Sequence, residues 1–360
     1  MTHPKRRGRW SRRRFTGAAA VGWLVLATRA RGVSSQAAPA MGPSQPVLRP
    51  PVLREGDRLG LVLPAGLEFE ASRIDLARRQ LEALGFEVQV GPHARRRVGS
   101  LAGTDAERAD DLNAMFADDD VRGVICHRGG WGTPRILPLL DYESIRQNPK
   151  VLIGFSDITA LVNAVHQETG LVTFHGPNGA TPLRPYTLDG FRRAVMSTEP
   201  LGVLANPAKR EDELVNRTWP RVTFRGGRAT GPIVGGNLTL LAASMGTPWE
   251  IETAGRILLL EDVREELYRV DRMLTQLALG GKFDELAGVA FGTCNDCPRG
   301  SGPTFSLEEI LGHHFAGLGV PVVSGLAFGH VREMMTLPIG LEATLDADEG
   351  TLTFAGSAVV

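Results

Sequence analysis

RLGLVLP, residues 58–64, is a short apolar run closed by a proline, the pattern of a strand buried on both faces. Downstream, Ser72 with Asp75 makes a capping-box pair, and Ile74, Ala77, Leu81 and Leu84 recur at helical spacing before Gly85. Phe86 to Val90 alternates like a strand. Thr104 with Glu107 repeats the capping signal ahead of Leu112, Met115 and Phe116, and Val121 to Cys126 is the next apolar run. Strand, helix, strand, helix, strand predicts a parallel sheet covered on both faces. Val151 to Gly154, a helix from about Asp157 to Thr169, and Leu171 to Phe174 extend it.

Outside this α/β unit the periodicity fails between Glu199 and Arg221, where prolines and charges accumulate, and this stretch is the expected interdomain connection. The N-terminal domain is therefore expected over 56–198 and a second domain over 222–360. The second opens with Gly226 to Gly236 and enters a helix near Asn237. It continues with a strand at Arg256 to Leu260, a helix from about Glu266 to Leu279, and strands around Leu286 to Phe291 and Val320 to Ser324. A hairpin at Ala343 to Phe354 closes it.

At 360 residues and 42% hydrophobic, the chain can bury two ordinary cores and is not a disordered or peptide-sized module. Lys+Arg and Asp+Glu are 40 each, but nine of the basic residues and none of the acids fall in residues 1–40. The remainder carries 31 minus 40, or −9. An acidic body argues against nucleic acid as a partner. Three cysteines exclude a disulfide scaffold, and Cys294 and Cys297 either close a small disulfide or remain packed thiols.

Residues 1–40 have the layout of an export signal: a basic start, the apolar run Thr16 to Ala27, and small residues at Ala37 to Ala40. Twelve apolar residues make a helix of roughly 18 Å, short of the ~30 Å hydrocarbon core, so no permanent membrane span is expected. Ser11-Arg12-Arg13-Arg14-Phe15 fits the twin-arginine pattern, which places the protein in the periplasm or outside the cell. The proline-rich 41–55 follows as an expected linker.

Two turns are candidates for chemistry. Cys126-His127-Arg128-Gly129-Gly130-Trp131-Gly132-Thr133-Pro134 follows a buried strand, and a hydroxyl on a Gly-rich turn at the C-terminal end of a parallel strand stands where α/β active sites lie. Gly154-Phe155-Ser156-Asp157 begins like a Gly-x-Ser-x-Gly elbow, with Ile158 in place of the second glycine. Ser156 reads either as a rival nucleophile or as a helix cap, and Asp157 as a cap or a group that orients substrate. His127, His175, His313 and His314 lack metal-ligand spacing, so no metal is expected.

These turns also carry a resemblance. Arg128 to Thr133, Leu139-Leu140-Asp141-Tyr142, Ile153 to Leu161, Thr173 to Pro177, Gly235 to Leu238, Leu260 to Val263, Tyr268 to Leu274, Phe328-Gly329-His330 and Thr336 to Gly340 together resemble, in order, the LD-carboxypeptidase family of serine peptidases. The resemblance implies an N-terminal flavodoxin-like or class I glutamine amidotransferase-like parallel-sheet domain and a smaller C-terminal α/β domain, with the active site between them. It implies a triad carried by Thr133, Glu261 and His330; beside it, the backbone at Gly129, Gly130 or Gly132 is expected to supply the oxyanion donors and Asp157 either to cap the helix or to orient substrate. It further implies a peptidoglycan-derived peptide as substrate, no cofactor, and a homodimer. Two departures matter on that assignment: Thr133 stands where relatives carry Ser, and the next residue, Pro134, has no N–H to offer an oxyanion. A muropeptide-binding or sensing protein with weakened catalysis is the alternative they imply. An amidotransferase-like enzyme would need a cysteine on the turn itself, and Cys126 lies before it.

Overall fold

The computed structural model describes residues 46–209, 211, 214–300 and 302–360, so the expected export signal lies outside the described residues. The described residues from 46 to 360 form one compact unit holding two sheets. The first half runs β1 (Arg58–Val62), α1 (Ala71–Glu82), β2 (Glu87–Val90), α2 (Asp105–Ala117), β3 (Val121–Cys126), α3 (Tyr142–Gln147), β4 (Val151–Gly154), α4 (Ile158–Thr169), β5 (Thr173–His175) and α5 (Pro185–Val195). The second half runs β6 (Gly202–Leu204), β7 (Val222–Arg225), β8 (Arg228–Asn237), α6 (Leu238–Ser244), β9 (Ile257–Val263), α7 (Leu267–Leu279), β10 (Gly288–Asn295), α8 (Leu307–Phe315), β11 (Val322–Ser324), β12 (Leu337–Ile339), β13 (Glu342–Asp346) and β14 (Thr351–Phe354).

The first sheet has the order β12-β5-β4-β3-β1-β2. Its five sequential strands are parallel, and β12 returns from the second half to pair antiparallel with β5. Leu59, Leu61, Val124, Ile125, Leu152 and Ile153 are sealed between helical layers, which is why these strands read as unbroken apolar runs. Thr104 caps α2 with the expected capping box. The pair Ser72 and Asp75 forms none, because α1 starts earlier, at Ala71 after Glu70, and takes Ser72 into its first turn.

The second sheet is mixed, with the order β6-β14-β13-β8-β9-β10-β11-β7. Strands β8 to β11 are parallel, and the flanking strands are antiparallel. Two stretches expected as linkers are built into the body. Leu48 donates to Gly170 O (2.9 Å) and Val52 to Val360 O (2.7 Å), so the proline-rich segment is pinned to the end of α4 and to the C-terminal residue. The stretch from Glu199 contributes β6, the edge strand beside β14. Cys294 and Cys297 are joined as a disulfide at the end of β10. Among the described residues no helix is long and apolar enough to cross a membrane.

Candidate active site

In both sheets the side chains with chemistry sit at the C-terminal ends of parallel strands, where helix N-termini and loops leave backbone groups free. The end of β4 comes first. After Gly154 the chain turns sharply, Ser156 takes the left-handed conformation at φ 67°, and α4 begins two residues later. A serine is uncommon there, and strain of this kind persists only where the surroundings enforce it. A Cβ on Gly154 would lie 2.8 Å from Ile158 Cγ2, so the isoleucine in place of the elbow's second glycine packs against the bare Cα of the first.

From the second sheet, the parallel register sets Asn237 of β8 beside Glu261 of β9. Asn237 Nδ2 donates to Glu261 Oε1 (3.2 Å), and Glu261 is fully buried. Its other oxygen takes two bonds from His330: Nδ1 at 2.7 Å and the backbone N–H at 3.2 Å. Gly329 approaches this carboxylate so closely, at φ 87°, that a Cβ would overlap it. The remaining imidazole nitrogen, Nε2, lies 3.0 Å from Ser156 Oγ. With Nδ1 facing a carboxylate acceptor, the neutral ring carries its proton on Nδ1 and offers Nε2 as a base toward the serine. The chain thus joins hydroxyl, imidazole and carboxylate in series, with the acid buried and the histidine half-buried.

Glu261 and His330 are therefore brought together, and the hydroxyl that meets them is Ser156. Thr133, expected as nucleophile, stands elsewhere. The residue is 0% exposed, and among the described residues its hydroxyl has no hydrogen-bond partner, hence no imidazole within reach. Pro134 fixes a 3₁₀ turn over Thr133–Arg135. That turn aims the Thr133 backbone N–H at Asp157 Oδ2 (2.7 Å). Asp157 accordingly makes no side-chain cap on α4 and instead ties the two turns together; its burial raises its pKa, offset in part by the bond from the Thr133 backbone N–H. Ser156 also does not cap, since its hydroxyl is held by His330.

The glycines of the first turn frame the serine. A Cβ on Gly129 would come within 2.7 Å of Ser156 Cβ and 3.0 Å of the Asp157 nitrogen, so only glycine lets the turn cross the serine this closely. Gly130 and Gly132 adopt φ of 119° and 112°. Behind them the buried Arg108 donates to Gly132 O (3.0 Å) and to Pro64 O, and pairs with Asp105. The Asp157 N–H, on the residue after the strained serine, has no acceptor among the described residues.

Below the pair lies His175, at the end of β5 in register with Gly154. It is fully buried, neither ring nitrogen has a partner among the described residues, and burial depresses its pKa to about 4. Phe155 packs edge-on against both His175 (6.2 Å) and His330 (5.0 Å), so the residue inside the strained turn also positions the imidazole. Sequence reasoning missed Asn237 and the wall made by Phe155. The Gly-Gly-Asn and Gly-Phe-Ser motifs were visible, but the pairing register and ring contacts are tertiary. Among the described residues no group of three or more His, Cys, Asp or Glu is placed to hold a metal ion.

Comparison with known proteins shows the family and its two-domain organisation. The family model for the LD-carboxypeptidase N-terminal domain matches residues 59–176, and that for the C-terminal domain matches 230–345. A probable murein peptide carboxypeptidase of Bacillus subtilis is 38% identical over 309 residues, covering 84% of this chain and 93% of the relative. The murein tetrapeptide carboxypeptidase of Pseudomonas aeruginosa is 36% identical over 296 residues, covering 81% and 94%. Among solved structures, the muramoyltetrapeptide carboxypeptidase of Oxalobacter formigenes superposes with a TM-score of 0.72 at 29% identity, covering 83% of this chain and 99% of that one. The microcin C7 self-immunity protein in its apo state superposes at 0.78 with 27% identity, covering 87% and 100%.

Proposed function

The chain belongs to the LD-carboxypeptidase family, a family of hydrolases, and we propose that it is an exported serine-type peptidase. It removes a C-terminal D-amino acid from the L-centre of a peptidoglycan peptide, with Ser156 as nucleophile, His330 as base and Glu261 as the group that orients the base. The observation that carries this reading is the Ser156–His330–Glu261 chain at 3.0 and 2.7 Å on a strained turn. Ser156 Oγ adds to the scissile carbonyl carbon as its proton passes to His330 Nε2. Glu261 holds the imidazolium that forms. The carbonyl oxygen, now anionic, is met by the free N–H of Asp157 together with the Gly129–Gly130 backbone that crosses the serine. His330 returns the proton to the leaving amine as the C–N bond breaks, and water repeats the cycle on the acyl-enzyme.

With Ser156 in this role, the two features that favoured a weakened binding protein no longer bear on the chemistry. Thr133 is not asked to attack, and the residue after the nucleophile is Asp157, which has an N–H, rather than Pro134. The murein peptide substrate is supported by the names of the relatives, and the two-part site by the contact of Ser156, after β4, with His330 and Glu261 of the second half. Export is supported by the basic leader and by a disulfide, which persists in oxidising compartments. The deciding experiment follows D-alanine release from a murein tetrapeptide by mass spectrometry. Native protein is expected to release it, and His330→Ala to lose at least about 10³-fold in kcat. No release by the native protein would overturn the peptidase reading.

A further inference from the structure

We propose that Arg128 is the receptor for the free terminal carboxylate of the substrate, and so the residue that makes this site a carboxypeptidase rather than an endopeptidase. The inference rests on the peptidase reading above. An enzyme that releases a C-terminal residue must recognise a carboxylate one residue beyond the scissile carbonyl, a span of about 3.8 Å. Arg128 immediately precedes Gly129, the residue that packs against Ser156 and the Asp157 nitrogen. Its position in the fold agrees. The strand order reverses at the β1/β3 pair, since β2 lies on one side of β1 and β3 on the other. Open α/β sheets bind ligands in the crevice at that point, and the loops after β1 and β3 meet there through Gly66 N–H and Gly129 O (3.2 Å).

The guanidinium is prepared for such a ligand. Its side chain is 34% exposed, and only Nη1 is engaged, by Leu67 O at 2.9 Å and, more loosely, by Glu68 at 3.8 Å. Glu68 is itself fixed by the buried His127 (3.2 Å), so the arginine is held on a rigid mount while its Nε and Nη2 edge keeps no partner among the described residues. That edge is the planar fork that meets a carboxylate with two parallel bonds. The neighbouring guanidiniums are committed otherwise: Arg108 is sealed behind the turn, and Arg135 pairs with Asp105 and lies over Trp131. A local cation is also needed on general grounds, because the body carries −9 and its net field repels an anionic peptide end.

The test compares a peptide ending in D-alanine as free acid with the same peptide as its carboxamide. Native protein is expected to prefer the acid by about 10²-fold in kcat/KM, the scale of a charge-assisted bidentate contact. Arg128→Gln is expected to bring that ratio close to one, mainly through KM, and Arg128→Lys, which keeps the charge but loses the fork, to retain part of it. Thermal melts of each variant identify any that fails to fold, and the lysine variant then carries the comparison. An acid preference unchanged in Arg128→Gln, or absent from the native protein, overturns the proposal. If the native protein releases no D-alanine, the peptidase reading fails separately. Arg128 is then judged by calorimetric binding of the two peptides to Ser156→Ala with and without Arg128→Gln; acid-selective binding that needs Arg128 supports it, and its absence overturns it.

Discussion

The turns after β3 and β4 lie side by side at one sheet edge, and both carry a hydroxyl residue near a glycine. They differ in what surrounds that hydroxyl. After β3, three glycines relax the backbone, Pro134 fixes a 3₁₀ turn, and Thr133 faces inward with its N–H spent on Asp157. After β4, the backbone is strained at Ser156 itself, and the hydroxyl meets an imidazole already fixed by a buried glutamate. A flexible glycine turn is suited to approaching a reacting group closely. A strained turn is suited to presenting one.

The largest expected effect separates the two hydroxyls directly. Ser156→Ala should lower kcat by roughly 10⁴- to 10⁶-fold, whereas Thr133→Val, which removes at constant shape a hydroxyl that has no partner among the described residues, should stay within about threefold in rate and be nearly neutral in stability. A fluorophosphonate reagent should modify Ser156 alone, read by peptide mapping. Modification at Thr133, or full activity in Ser156→Ala, would reverse the comparison. The next effect tests whether the first turn works by proximity. A Cβ at Gly129 must displace Ser156 or the turn, so Gly129→Ala is expected to cost about 10²–10³ in kcat, comparable to losing an oxyanion donor, with a far smaller change in melting temperature than in rate. Unchanged kcat would show that the glycine matters only for folding.

The contrast also explains what was legible in the chain. The parallel α/β unit was readable because its strands are buried on both faces and appear as apolar runs; Val151 to Gly154 coincides with β4 to the residue. Glu261 and His330 were readable through the motifs around them, and the structure joins them. Which hydroxyl meets His330 was not, since that turns on one backbone dihedral and one contact between residues 174 positions apart. The half-elbow Gly154-x-Ser156 was the available signal, and the missing second glycine obscured it. The return of β12 into the first sheet was invisible for a similar reason: three residues, Leu337–Ile339, gain their strand character from pairing with β5.

The floors of the two turns differ as well, and acid should act on them unequally. The first rests on Arg108, a cation held by Asp105 and two carbonyls. The second rests on His175, which has no partner among the described residues and whose pKa falls to about 4 from an ordinary 6.5 because burial disfavours the charged ring. A group with a depressed folded pKa binds its proton more readily in the unfolded chain. Its contribution to stability is therefore complete above pH 6.5 and is lost as pH falls through about 4. Across that window the loss should reach roughly 2–3 kcal/mol. His127 and His166, also depressed by burial, add to the same acid limb. Urea unfolding at pH 7, 5.5 and 4 isolates the one beneath Ser156: His175→Gln should lower stability at pH 7 yet lose about 2 kcal/mol less than the native protein on going to pH 4. Parallel curves for the two proteins would mean that His175 does not take up a proton as the fold opens.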